Sequence, residues 1–233
     1  MNADPTRIPQ FLRELSYLWE AQPDRRFVDV LAQLEAAGVS PASSDEDVLL
    51  AIANLRHIFP HTVDVDAHGR ARGAYDIVTS TADIAVDRDH VIVRALSTTP
   101  RRPSVWAYSH LVTKTVSGPL TIADEEGNIH KLGVIARMSP RTQTTLAENA
   151  LPELHRTSIG DTVYVVELSD DTRVSIGRKT TVYRQQRRAL NTDTIAWESI
   201  PATQVGQPLV VAKPAGHGEE DLGVIQAIWR AHY

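Results

Sequence analysis

Cysteine is absent from this chain of 233 residues, which removes disulfides, thiol nucleophiles and thiolate metal sites together. Long apolar runs are lacking as well; none approaches the roughly 20 residues that a membrane-spanning helix needs. The stretch from Met1 to Leu15 has no basic start leading into an apolar segment, so no secretory leader is expected. Neither sign of charge is in large surplus. The 24 Lys and Arg residues stand against 29 Asp and Glu, a net charge of −5, which gives the whole protein no attraction for nucleic acid or for an anionic membrane surface. The chain has no Gly-x-Ser-x-Gly elbow, no phosphate-cradling glycine loop and no close histidine pair at metal-ligand spacing. A cytoplasmic protein without membrane association and without a cofactor is the expectation.

What is present is ordinary globular composition, 42% hydrophobic and 23% charged, enough to build a sizeable core. The first part reads as helix. Ile8, Phe11, Leu12, Leu15, Leu18 and Trp19 recur at helical spacing up to Pro23. Asp24 is placed to cap a second helix carrying Phe27, Val30, Leu31 and Leu34, which Gly38 ends. Ser44 and Asp47 have capping-box spacing before a third helix with Val48, Leu49, Ile52 and Leu55. Trp19 is expected to anchor the core at the end of the first helix, with ligand stacking as the alternative. The acidic run Asp45-Glu46-Asp47 suits a helix N-terminus and opposes any use of that helix to read DNA.

The Leu18-Trp19-Glu20-Ala21-Gln22-Pro23-Asp24 run, Leu31 and Leu34, and Asp45-Glu46-Asp47-Val48-Leu49 together resemble the YihD family of small helical bacterial proteins. The resemblance spans about 50 residues. It implies a compact helical unit and no catalytic role.

From Pro60 to Ala74 the chain turns polar and reads as a linker. His61, Asp64, Asp66 and His68 stand at a spacing that matches no tetrahedral zinc motif. Beyond Tyr75 the period falls toward two, with strands expected at 75–78, 84–86, 90–96, 105–116, 120–122, 129–135, 162–168, 174–176, 180–183, 194–197 and 209–212. Helices are expected over Arg141–Leu154 and Asp221–Tyr233, where apolar residues fall at helical spacing. The fold expected is therefore α+β: a three-helix N-terminal unit (1–59), a linker (60–74) and a mainly antiparallel β-rich domain (75–233), either a partly open barrel or a sheet with one or two helices.

Three groups of residues invite functional readings. Arg173, Arg178, Lys179, Tyr183, Arg184, Arg187 and Arg188 crowd into sixteen positions and are candidates to follow a polyanion, with Tyr183 stacking a base. Arg94, Tyr108, His110, His130, Arg137, Tyr164 and Glu167 are candidates to line a pocket in the β-rich domain. His217, Glu219 and Glu220 are candidates for a metal or acid–base set in a Gly-flanked loop. Ser104, Ser109 and Ser117 beside His110 lack an elbow to present a nucleophile. The function expected is a binding or regulatory interaction module, acting on a protein partner or on itself. A small-molecule hydrolase or lyase is the first alternative, and nucleic-acid or polyanion binding through 173–188 is the second.

Overall fold

The structure is a computed structural model that describes residues 7–98, 101–185 and 190–232. Three helices open it: α1 (Arg7–Glu20), α2 (Phe27–Ala36) and α3 (Asp45–Ile58). The capping box of α3 forms as its spacing predicts. Ser44 Oγ accepts from the Asp47 amide at 3.2 Å and the Asp47 carboxylate accepts from the Ser44 amide at 2.9 Å. The Ser44 hydroxyl, then the Ser44 amide, hold the Asp47 carboxyl below its ordinary range. The cap of α2 differs from expectation. Pro23, Asp24 and Arg25 turn first, the Arg25 amide bonding Gln22 O at 2.9 Å, so Arg26 becomes the cap and Asp29 accepts its amide at 3.1 Å. Gly38, at φ +94°, follows α2 in the left-handed conformation that costs glycine least.

Leu18, Val30, Leu34, Ala51 and Ile52 form the core of the helical unit, with Phe11, Leu15, Val48 and Leu55 packed on them. Trp19 is not its anchor. Leu18 takes that place, and Trp19 lies at the surface with 41% exposure, its indole N–H donating to Arg25 O at 2.8 Å and its ring 5.2 Å from that of Phe27. Neighbouring helix positions diverge by about 100°, so only one of the two enters the core.

Among the described residues the remainder is strand and loop, with a single short 3₁₀ turn at Pro214–Gly216. Strands β1 (Tyr75–Thr79), β2 (Ala82–Val86), β3 (His90–Ala95), β4 (Ser104–Thr113), β5 (Pro119–Asp124) and β6 (Ile129–Pro140) close in sequence order into a six-stranded barrel. Six longer strands follow: β7 (Thr162–Leu168), β8 (Arg173–Ile176), β9 (Thr180–Gln185), β10 (Leu190–Ile195), β11 (Pro208–Ala212) and β12 (Glu219–His232). They lie in the spatial order β10-β9-β8-β7-β12-β11, and two-residue strands extend them to a nine-stranded antiparallel sheet. Val166, Leu168, Val174, Ile176, Val182, Trp197, Leu209 and Ile228 are buried on this sheet's core side. The chain divides into two compact units, residues 1–82 with 108–142, and residues 83–107 with 143–233. The segment 60–74 packs within the first: Val63, Ala71 and Ala74 are buried, and Thr62 bridges Thr115.

Two expected helices are strand or loop. Residues 141–154 hold the short strands Ala147–Glu148, Ala150–Leu151 and Leu154–His155. Leu151 pairs with Thr203 and Leu154 with Ile200, so sheet partners claim the apolar residues that imitated a helical stripe. Residues 219–232 form the longest strand. Its buried residues Leu222, Ile225 and Ile228 recur every third position because the register slips between Pro208 and Val210 and between Glu167 and Leu168, while Ala231, opposite Val163 in regular pairing, is buried on the other face. Each bulge inserts a residue and turns a period of two into an apparent period of three. No helix among the described residues is long and apolar enough to cross a membrane.

Candidate functional site

The second unit carries a basic depression of about 460 Å³ on one face of its sheet. Pairing explains which residues reach it. Ser175 stands opposite Val165 and Thr181, and Arg173 opposite Glu167 and Tyr183. Alternation along each strand sends these residues to one face while Val166, Val174 and Val182 enter the core on the other. The hairpin Gly177-Arg178-Lys179 between β8 and β9 brings two cations to the rim, and Arg94 of β3 adds a third. Thr162, Ser175 and Thr181 contribute hydroxyls.

The hairpin is held from both sides. The buried Trp197 indole donates to Gly177 O at 3.0 Å. Arg178 donates through Nε to Gly160 O at 3.2 Å and pairs with Asp161 at 3.3 Å. A Cβ at Gly177 would stand 3.2 Å from Val163 Cγ2, so this position favours glycine through close approach rather than through an unusual φ. Arg94 pairs with Asp83. Lys179 forms no ion pair among the described residues and is exposed. Three cations thus line the depression against one carboxylate, Asp161. No histidine lines it, and Arg178 already engages that carboxylate, so its chemistry suits holding an anion better than moving protons.

The basic segment therefore divides. Arg173 is buried on that same face of the sheet, bonded to Glu167 and, at 2.7 Å, to Pro103 O. Arg184 pairs with Asp193 at 2.9 Å. Tyr183 lines the depression but is largely buried. Burial pushes its phenol up, opposed by the Thr181 hydroxyl and the Arg94 charge. Arg187 and Arg188 lie outside the described residues.

The seven pocket candidates are shared between the two units. In the second, Arg94 lines the depression and Glu167 lies on the same sheet face, paired with Arg173. Tyr164 belongs to the core, its ring 5.8 Å below the Arg230 guanidinium. In the first, Tyr108 is buried and its hydroxyl accepts from the Ala71 amide at 2.9 Å. His110 is exposed beside Ser109 Oγ at 3.2 Å. His130 pairs with Asp124 at 2.9 Å, and this bond, with that from Asn128, holds the Asp124 carboxyl down to about 2. Arg137 lines a separate cleft.

Glu219 and Glu220 begin a strand, Glu220 pairing with Lys213 at 3.0 Å, while His217 closes the 3₁₀ turn through its amide. Among the described residues no group of three His, Asp or Glu is placed to hold a metal ion. Of the loop acids and histidines, Asp66 accepts from the His68 and Arg70 amides and His61 meets Glu20 at 3.3 Å.

The sequence reading missed Gly160, Asp161 and the three hydroxyl residues. The alternation of β8 and β9 contained Ser175 and Thr181; nothing local marked Thr162 or the Gly160-Asp161 clasp. No protein-family model matches the chain, and no curated protein sequence does.

Proposed function

We propose that this protein acts by binding, and that the sheet-face depression receives an anionic ligand bearing phosphate. The observation that carries the reading is Lys179, which has no ionic partner among the described residues yet shares one depression with Arg94 and Arg178. A phosphate oxygen would complete its charge, and the Thr162, Ser175 and Thr181 hydroxyls would supply further donors. Calorimetric titration with inorganic pyrophosphate tests this. Lys179→Gln is expected to weaken binding by about tenfold or more, the usual scale for a charged hydrogen bond. Absence of binding, or equal affinity in the variant, would refute the reading. If instead a single-stranded oligonucleotide binds more tightly, with affinity falling steeply as salt rises, the ligand is a polyanion.

A second reading concerns the helical unit, whose surface keeps Ile8, Leu12, Trp19, Phe27 and Leu31 exposed. On α1, Ile8, Leu12 and Trp19 share a stripe with Leu15. Arg7, which also meets Asp45, stands at the start of that helix, and Glu20, which also meets His61, at its end. An antiparallel copy of the same helix brings apolar residues together and opposite charges near each other, as a two-fold interface requires. The occupant favoured is a second copy of the chain. Sedimentation velocity is expected to show a dimer that Leu12→Glu converts to monomer. A monomer at all concentrations in the unaltered protein rules the dimer out.

A further inference from the structure

In the first unit a cleft of about 320 Å³ opens between the turn that follows α1 and the last part of β6, with Phe59 from the end of α3 at its back. It is independent of the depression on the sheet. Its floor is apolar: Ala21, Pro23, Phe59 and Met138. Three charged residues line the cleft as well, Asp24, Arg25 and Arg137. None of the three forms an ion pair within 4.0 Å among the described residues. The charge of Arg25 is felt by Asp29, but the direct partner of Asp29 is Arg26.

The walls are built to keep their shape. Gln22, buried at the base of the turn, exchanges amide hydrogen bonds with Gln33 at 2.8 and 3.1 Å, and Trp19 bonds Arg25 O. Across the cleft the register of β6 against β1 jumps from Val78↔Arg137 to Thr79↔Ile135, leaving Ala136 as the extra residue of a bulge. Such bulges bend a strand and re-aim its side chains, and they favour the neighbourhood of binding sites. The volume falls at the small end of the range for small-molecule sites, with a few polar groups over an apolar lining.

We infer that this cleft binds a free α-amino acid with an apolar side chain. Two guanidiniums match its carboxylate, the Asp24 carboxylate matches its ammonium, and the apolar floor takes its side chain. A simple anion would leave Asp24 opposed, and a simple cation would leave both arginines opposed.

The test is amide-resolved NMR of the full chain titrated with L-leucine, L-methionine and L-phenylalanine. Each is set beside its primary amide, which lacks the carboxylate, and its N-acetyl derivative, which lacks the ammonium. At least one amino acid is expected to give saturable shifts confined to the amides of 21, 22, 24, 25, 59 and 136–139. Each blocked form should bind about tenfold more weakly or worse, as for loss of one charged contact. Arg137→Gln, at an exposed position on β6, should reproduce the loss for the amino acid and abolish discrimination against the amide. Asp24→Asn should do the same against the N-acetyl form. No saturable shift at these residues from any of the three, or equal binding of free and blocked forms, would overturn the inference. Unaltered discrimination in both variants, with spectra otherwise preserved, would overturn it as well.

Discussion

Trp197→Ala is expected to lower the stability of the second unit by about 3–5 kcal/mol and to abolish anion binding at the sheet-face depression. The indole is 1% exposed, in the core of that unit. Removing it leaves a cavity among Ile176, Val182 and their neighbours that close-packed side chains relax into only in part. It also takes away the donor to Gly177 O, which fastens the hairpin carrying Arg178 and Lys179. Trp197→Phe separates the two effects. It keeps most of the apolar area but leaves that carbonyl without its partner, a loss of about 1–3 kcal/mol. Urea unfolding followed by circular dichroism measures the stabilities, and pyrophosphate titration the affinities. Equal stability and affinity in the phenylalanine variant would show that the indole hydrogen bond plays no part in positioning the hairpin.

Arg173→Ala is expected to destabilise the same unit by about 3–5 kcal/mol, the usual result of removing one member of a buried pair. The Arg173 side chain is 11% exposed and that of Glu167 is 21% exposed. Alanine would leave the Glu167 carboxylate in a poorly hydrated site without its counter-charge, and Pro103 O without its donor. The double replacement Arg173→Met with Glu167→Leu removes both charges together and is expected to recover most of the lost stability. Equilibrium urea midpoints of the single and double variants decide this. If the single variant loses less than about 1 kcal/mol, as exposed pairs do, water reaches the pair.

The helical unit was largely legible in the sequence because its signals are local. The apolar period, Pro23, Gly38 and the Ser44–Asp47 box act within a few residues, and only the cap of α2 and the burial of Trp19 came out differently. The sheet was legible strand by strand until the register slipped. On β12 the bulges gave Leu222, Ile225 and Ile228 a spacing that periodicity alone assigns to a helix. In 141–154, strands distant in sequence supplied the partners that the local pattern did not foretell. The depression was half visible: its hairpin cations lie in one short run, but Asp161 and Arg94 arrive through pairing and packing over long separations. Parity chose the rest, sending Val174 into the core and its neighbours Arg173 and Ser175 to the depression's face of the sheet.

β12 has a consequence for the order of events during synthesis. It pairs with β7 along one stretch and with β11 along another, and so joins the two halves of the nine-stranded sheet. A nascent chain that has reached residue 212 holds all the other long strands of that sheet but lacks the one that unites them. Its apolar sheet faces and strand edges must wait, uncovered, for fourteen more residues of the final strand to clear the ribosome. The helices near the start of the chain pair only with one another for their core and face no such delay. Chains are therefore vulnerable to aggregation in the interval before residues 219–232 have emerged, when the demand for a chaperone is greatest.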